Sequence, residues 1–294
     1  MSTVSSTELA TTADSLQPVR PEVFPQRGQW DHFWSLTLTL TRGELKQRYF
    51  GSALGYAWTL LRPLMLFGVL YFVFAKIIFR ASGAVPHFPV ILLESLVLWG
   101  YFAETTSIAV TSLVARESLM RKIRFPRFAI PLSIAMTTGF HLLLNLLVVA
   151  VFIVASGVEP RTGWLLAPIL IVLLVIFTMG LSLVLSTIYV KLRDMSSIWE
   201  VLVQLLFWAT PVIYVIEFPL KKSATATAII ASNPVAAVLI EMRKLVIDPT
   251  APSVVDAMGG HAWLLIAPFG IFFAVCGFGW FIFARQAPGM AEQL

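Results

Sequence analysis

A handful of polar side chains sit inside long apolar runs of this 294-residue chain, and any chemistry would start there. Glu94 and Glu104 fall in the run 89–114, Glu200 near the start of 198–216, and His141 and Asn145 one helical turn apart in 128–155. Ionisable residues in lipid are costly and face an interior, a cavity or a partner. A proton relay is disfavoured, because Glu94 and Glu104 lie on different faces of a helix and no Asp or His completes a chain in that run. His141 with Asn145 supplies too few ligands for a metal. An intramembrane hydrolase would need a nucleophile with a positioned base, and none is visible. No paired carboxylates occur, so no catalytic residue and no metal ligand is assigned. The expected role of these groups is hydrogen bonding between helices or lining a polar path. No glycine is followed by lysine, so the phosphate-cradling loop of an ATPase is missing. If ATP drives this protein, another chain hydrolyses it. The single Cys276 excludes an intrachain disulfide and a cysteine metal site.

The other chemical feature is a basic run, Arg116-Glu-Ser-Leu-Met-Arg-Lys-Ile-Arg-Phe-Pro-Arg127, between two runs of membrane length. A short basic loop in that position marks the cytoplasmic side. It also offers a soluble partner a surface to push on. Composition agrees with a polytopic membrane protein: 58% of residues are hydrophobic, 13% are charged and mean hydropathy is +0.83, where soluble domains carry about 25% charged residues. The net charge of +5 follows from cationic cytoplasmic edges, and nucleic acid is not needed to explain it.

These groups need helices to hold them. Residues 1–28, rich in Ser, Thr and Pro, are predicted to be a disordered tail with no signal peptide, and 29–294 a single membrane domain. Trp30, Trp34, Leu38, Thr41, Leu45 and Tyr49 recur at helical spacing, which predicts an amphipathic helix over 30–50 lying in the membrane interface. Alternation of Leu with Thr there also fits a strand, but a strand edge has no place in lipid. Six spans are predicted at about 57–79, 89–114, 128–155, 164–190, 198–216 and 262–284, since about 20 apolar residues cross a bilayer. Short-loop Arg and Lys concentrate at 115–127, at 191–197 and before the first span, so both termini are predicted to be cytoplasmic. The segment 217–261 is then external. It carries two apolar pieces too short to span, the second opened by Asn233 as N-cap and Pro234 as first residue. A re-entrant hairpin is expected there. The fold class is therefore an all-α membrane protein.

The run Glu44-Leu-Lys-Gln-Arg-Tyr-Phe-Gly-Ser-Ala-Leu-Gly-Tyr-Ala-Trp-Thr-Leu-Leu-Arg-Pro63 resembles a signature of type-2 polysaccharide ABC exporter permeases. Arg121-Lys-Ile-Arg-Phe-Pro126, Tyr189-Val-Lys-Leu-Arg-Asp194, Ala209-Thr-Pro-Val-Ile-Tyr214 and Asn233-Pro-Val follow in matching order. That resemblance implies a plasma-membrane (inner-membrane) homodimer of six-helix subunits with two copies of a nucleotide-binding ATPase that carries ATP and Mg. The cargo it implies is a lipid-linked polysaccharide such as an O-antigen, teichoic acid, capsule or cell-wall galactan. An arginine-rich, asparagine-poor composition and the Pro-rich tail favour galactan among these. The resemblance also implies that Arg116, Glu117, Ser118, Leu119, Arg121 and Lys122 form a coupling helix against the ATPase. Arg193 and Asp194 either join that contact or mark the interface. Sugar rings stack on aromatic planes, so Tyr71, Trp99, Tyr101, Phe207, Trp208 and Tyr214 are candidates for the conduit, against packing as their other use. Two other readings stand beside export of a glycan: a drug or small-lipid exporter of the same architecture, and a membrane-embedded transferase.

The topology is testable directly. In a Cys276→Ser background, Lys222→Cys is expected to react with an impermeant thiol reagent from outside intact cells, and Lys122→Cys to stay unlabelled. The opposite pattern would invert the topology.

Overall fold

A computed structural model describes residues 30–49, 55–74, 85–122 and 125–289 of the chain. The expected tail, residues 1–28, and the end of the first expected span, 75–79, lie outside the described residues. Among those described, every regular element is a helix. We number them α1 Trp30–Tyr49, α2 Ala57–Tyr71, α3 Phe88–Ala115, α4 Glu117–Lys122, α5 Ala129–Ala155, α6 Ala167–Lys191, α7 Met195–Ala209, α8 Glu217–Lys222, α9 Ala224–Ala231, α10 Pro234–Met242, α11 Val254–Ala257 and α12 Ile266–Gln286.

The hub is α3. Its apolar residues are spread around the whole helix, which is buried along most of its length, as such a helix must be. It packs on α5 and α6, and more lightly on α2 and α7. Helix α6 carries α12 on its other side. That crossing depends on two glycines. A Cβ on Gly279 would collide with the Gly180 carbonyl oxygen, and a Cβ on Gly180 would stand 2.8 Å from the Cα of Cys276. In lipid, where apolar side chains gain nothing by leaving the solvent, close backbone approach is what brings helices together.

Helix α1 runs along α5. The face it buries is Phe33, Thr37 and Thr41. Both threonine hydroxyls donate back to carbonyls four residues earlier, at 2.8 Å each, which satisfies them and narrows this face. Trp30, Trp34 and Leu38 of the predicted apolar stripe are exposed, with Trp30 at 51%. Thr41 turns the other way, into the protein, on the same face as Phe33 and Thr37. The chain then turns toward α2 at Gly55, whose φ of 44° lies in the left-handed region glycine favours.

Five helical stretches are long and apolar enough to cross a membrane among the described residues: Ala57–Phe74, Phe88–Ala115, Ala129–Ala155, Thr162–Lys191 and Ala262–Gln286. The predicted fifth span, 198–216, is different. Helix α7 has 15 residues, or about 22 Å at 1.5 Å per residue, against about 30 Å of hydrocarbon. It stops because Thr210 is extended ahead of Pro211, which lacks an N–H and pushes its predecessor out of the helical region. Residues 211–216 continue as a mostly buried, irregular segment.

That segment leads into a unit made of α8 to α11. Helices α9 and α10, the latter continued by a π-helical turn Arg243–Ile247, meet at an angle of 99°. Asn233 caps α10 by accepting from the Val235 N–H at 3.0 Å, with Pro234 as its first residue. Its amide also donates to the Thr210 hydroxyl at 3.2 Å, tying the bend to the end of α7. Arg243 is the unit's ionic centre. It is 6% exposed and donates to both Glu217 carboxylate oxygens at 2.7 and 2.6 Å and to Asp248 at 3.4 Å. Burial pushes the Asp248 carboxyl up, but hydrogen bonds from Thr250 and the Arg243 charge outweigh it and hold the group below the usual carboxylate range. The Trp164 indole N–H donates to the Val246 carbonyl at 3.0 Å, so this ring anchors the unit just ahead of α6.

The glycine contact yields a matched test. Overpacking costs about 1–3 kcal/mol, so Gly279→Val is expected to lower the melting temperature of the detergent-solubilised protein by several degrees. Gly277→Val, where a Cβ meets nothing within 4 Å, should leave it unchanged. Equal effects would mean that the α6–α12 crossing tolerates a side chain.

Candidate functional site

The polar groups inside the membrane domain converge where α1 ends. Arg48 Nη1 donates to Glu104 Oε1 of α3 at 2.6 Å. His141 of α5 places Nδ1 at 3.1 and 3.3 Å from the two Glu104 oxygens and Nε2 at 2.7 Å from the Tyr49 hydroxyl. With the proton on Nδ1 the ring donates to Glu104 and accepts from Tyr49. The same hydroxyl lies 2.6 Å from the Thr59 hydroxyl of α2. Asn145, one turn beyond His141, donates to the carbonyls of His141 at 2.8 Å and Thr59 at 3.3 Å. One connected network thus ties α1, α2, α3 and α5. Nearer the loop, the Arg116 guanidinium pairs with Glu44 and donates to the Ser133 hydroxyl at 3.0 Å.

Glu104, His141 and Asn145 therefore do pair across helices, as their positions predict. The sequence does not mark Arg48 and Tyr49 as partners of these groups, because Tyr49 reads as the last residue of the apolar stripe and Arg48 as part of the polar face beside it. The signal that could have found Arg48 is the carboxylate of Glu104, which needs a cation within reach. Glu94, 2% exposed, lies nearer the start of α3. The network of Glu104 does not extend to it.

The network forms one wall of a cleft of about 1220 Å³ between α2, α3, α5 and α7. Of the six aromatic candidates, Trp99, Tyr101, Phe207 and Trp208 line it. The Phe207 ring stands edge-on to Trp99 at 5.9 Å and to Trp208 at 5.6 Å, and Trp208 is 59% exposed. Trp58, Arg62, Glu200 and Gln204 complete the polar and aromatic lining. Tyr71 and Tyr214 are placed elsewhere. Tyr71 stacks on Phe67 at 5.7 Å, and the Tyr214 hydroxyl donates to the Ala209 carbonyl at 3.2 Å beside a small separate cavity next to Arg243.

The basic loop contains a helix, α4, over Glu117–Lys122. Ser118 is exposed, Leu119 half-buried, and Arg121 and Lys122 complete the helix. Arg116, just ahead of α4, turns inward to Glu44 and away from the loop surface. At the end of α6, Arg193 and Asp194 are exposed, with the Arg193 guanidinium 5.5 Å from the Tyr189 ring centre. Among the described residues no group of His, Cys, Asp and Glu could hold a metal ion.

This architecture has relatives. Residues 35–222, most of α1 through α8, match the family described as ABC-2 type transporter. The O-antigen export system permease protein RfbA of Klebsiella pneumoniae is 32% identical over 220 residues, covering 74% of this chain and 83% of that protein. A second Klebsiella pneumoniae protein of that description is 32% identical over 215 residues, with 73% and 81% covered. The O-antigen export system permease protein RfbA of Myxococcus xanthus is 29% identical over 217 residues, with 74% and 82% covered. A helical membrane domain with this match over most of its length belongs to the ABC-2 type transporter family.

Proposed function

We propose that this chain is the permease of an ATP-driven exporter that moves a lipid-linked polysaccharide out of the cytoplasm. A homodimer of the chain works with two copies of a separate ATPase that binds ATP and Mg, in the plasma membrane with both termini cytoplasmic. The observation that carries this reading is the aromatic cleft bounded by α2 and α7. Three relatives described as O-antigen export permeases support it. A glycan many sugars long cannot fit within one subunit, so the conduit forms where two such clefts meet. Trp208, 59% exposed, and half-buried Phe207 give sugar faces weak stacking contacts, on the order of 1 kcal/mol or less each, which lets the chain slide, while buried Trp99 and Tyr101 back that wall. Tyr71 and Tyr214 lie off this cleft and take no part in that stacking. A cell-wall galactan is one polymer that suits these surfaces.

Helix α4, with Glu117, Ser118, Leu119, Arg121 and Lys122, receives the ATPase movement, and Arg193 and Asp194 border the same contact. Arg116 passes it on. Its pairing with Glu44 hands the motion of the loop to α1, and Arg48 and Tyr49 hand it to Glu104 and His141 on the cleft wall. The path is thus a continuous chain of ion pairs and hydrogen bonds through one rigid helix.

Reconstitution with the partner ATPase in proteoliposomes tests the function: ATP-dependent appearance of lipid-linked glycan inside inverted vesicles is expected. Catalytic glycosyl transfer by the chain alone would indicate a transferase, and movement of small lipids without glycan would indicate an exporter of another class. Glu117→Ala with Arg121→Ala should preserve insertion and complex assembly but abolish export. Normal export in that double variant would remove α4 from the coupling path. Trp208→Ala with Phe207→Ala should slow polymer movement severalfold or make the membrane leaky while ATPase assembly persists. Wild-type transport and a tight membrane would make these rings ordinary packing residues.

A further inference from the structure

We infer that the polymer taken by this cleft is an uncharged glycan and that chains carrying an acid in every repeat are refused. This rests on the export function proposed above and narrows its substrate. Four formally charged side chains line the cleft among the described residues, Arg48 and Arg62 against Glu104 and Glu200, so two positive and two negative charges sum to zero. A second copy of the chain adds equal numbers of both signs and leaves the sum unchanged. Arg48 is already committed, 2.6 Å from Glu104. His141 has both ring nitrogens engaged, by Glu104 and Tyr49. What remains is Arg62 on α2 and exposed Glu200 on α7, and neither forms an ion pair among the described residues.

An acidic repeat entering such a cleft leaves water for walls that are mostly apolar. It needs a surplus of cations to offset the lost hydration. Here the one uncommitted cation is matched by a carboxylate that repels the same acid, and low-dielectric walls strengthen both effects. Neutral sugars ask for something else. Their hydroxyls suit the Asn145 and Gln204 amides, and their C–H faces suit the exposed Trp208 ring. The lining therefore rejects by charge while it accepts by stacking, and discrimination of this kind needs a repulsive element as well as an attractive one. Glu200 is that element.

The test uses the complete exporter with its ATPase in proteoliposomes. Two oligosaccharides of equal length are offered on the same polyprenyl phosphate carrier, one of neutral hexoses and one with a uronic acid in every repeat. The carrier phosphate is common to both and cancels. The neutral chain is expected to move faster by about tenfold or more, since like charges set side by side repel. Glu200→Lys, which leaves three positive charges against one, should bring the acidic chain to within a few-fold of the neutral one. If that variant does not assemble, the wild-type comparison decides alone. Equal movement of both chains by the wild type would overturn the charge inference while leaving the export function standing. Movement of neither chain would overturn the export function, and the inference with it.

Discussion

Hydrocarbon offers no water to a charged side chain, and the arrangement of this protein follows from that constraint. Glu104 sits in the most buried helix of the bundle and must be met. Arg48 reaches it from α1 and His141 from α5, and His141 is in turn held by Tyr49. Satisfying one carboxylate thereby recruits three helices to a common point and leaves α1 no freedom to drift from the bundle. The same logic operates at the opposite end of the molecule. Arg243 is buried, and Glu217 and Asp248 are drawn in from flanking segments to meet it. Two regions of the domain are thus each organised by one charge and the partners it demands, half-buried Glu104 in one and buried Arg243 in the other.

Much of the fold is legible in the sequence because membrane helices are specified by length and composition. The runs around α3, α5, α6 and α12 are long, continuous and apolar, and their limits are readable within a few residues. The cap of α10 is legible for a different reason, since Asn followed by Pro is a local backbone device. The fifth run was harder. Its apolar residues continue past Ala209, so composition gives no sign of a break, yet a proline at 211 after an extended threonine ends the helix there. Apolarity reports the solvent around a segment and is silent about its backbone. Pro211 was the informative residue, and a reading weighted toward hydropathy passes over it.

The site is legible in part. Glu104, His141 and Asn145 stand out because polar groups are rare in such runs, and their need for partners is predictable. Which partners they choose is not, because Arg48 lies 56 residues from Glu104 and Tyr49 lies 92 from His141. Periodicity describes one helix at a time. The aromatic candidates separate for the same reason. Trp99 and Phe207 come from different helices and meet on the cleft, while Tyr71 and Tyr214, equally plausible by type, are turned to other neighbours. Gly180 and Gly279 show the limit most clearly, since a glycine inside a helix looks like a weakness until the second helix is seen against it.

The clasp between α1 and the bundle also constrains how the protein can be made. Ribosomes release the chain from its N-terminus at about 5–20 residues per second. Arg48 and Tyr49 therefore emerge well before Glu104, and His141 comes later still. Until both are threaded into the bilayer, an arginine and a tyrosine hydroxyl must wait with no protein partner. A helix inserted through the hydrocarbon could not wait in that way. One lying at the surface, with Trp30, Trp34 and Leu38 turned outward, can keep its charges hydrated and dock once the bundle has arrived. A helix made this early can be the last to dock, and a place at the membrane surface is what would make that order possible.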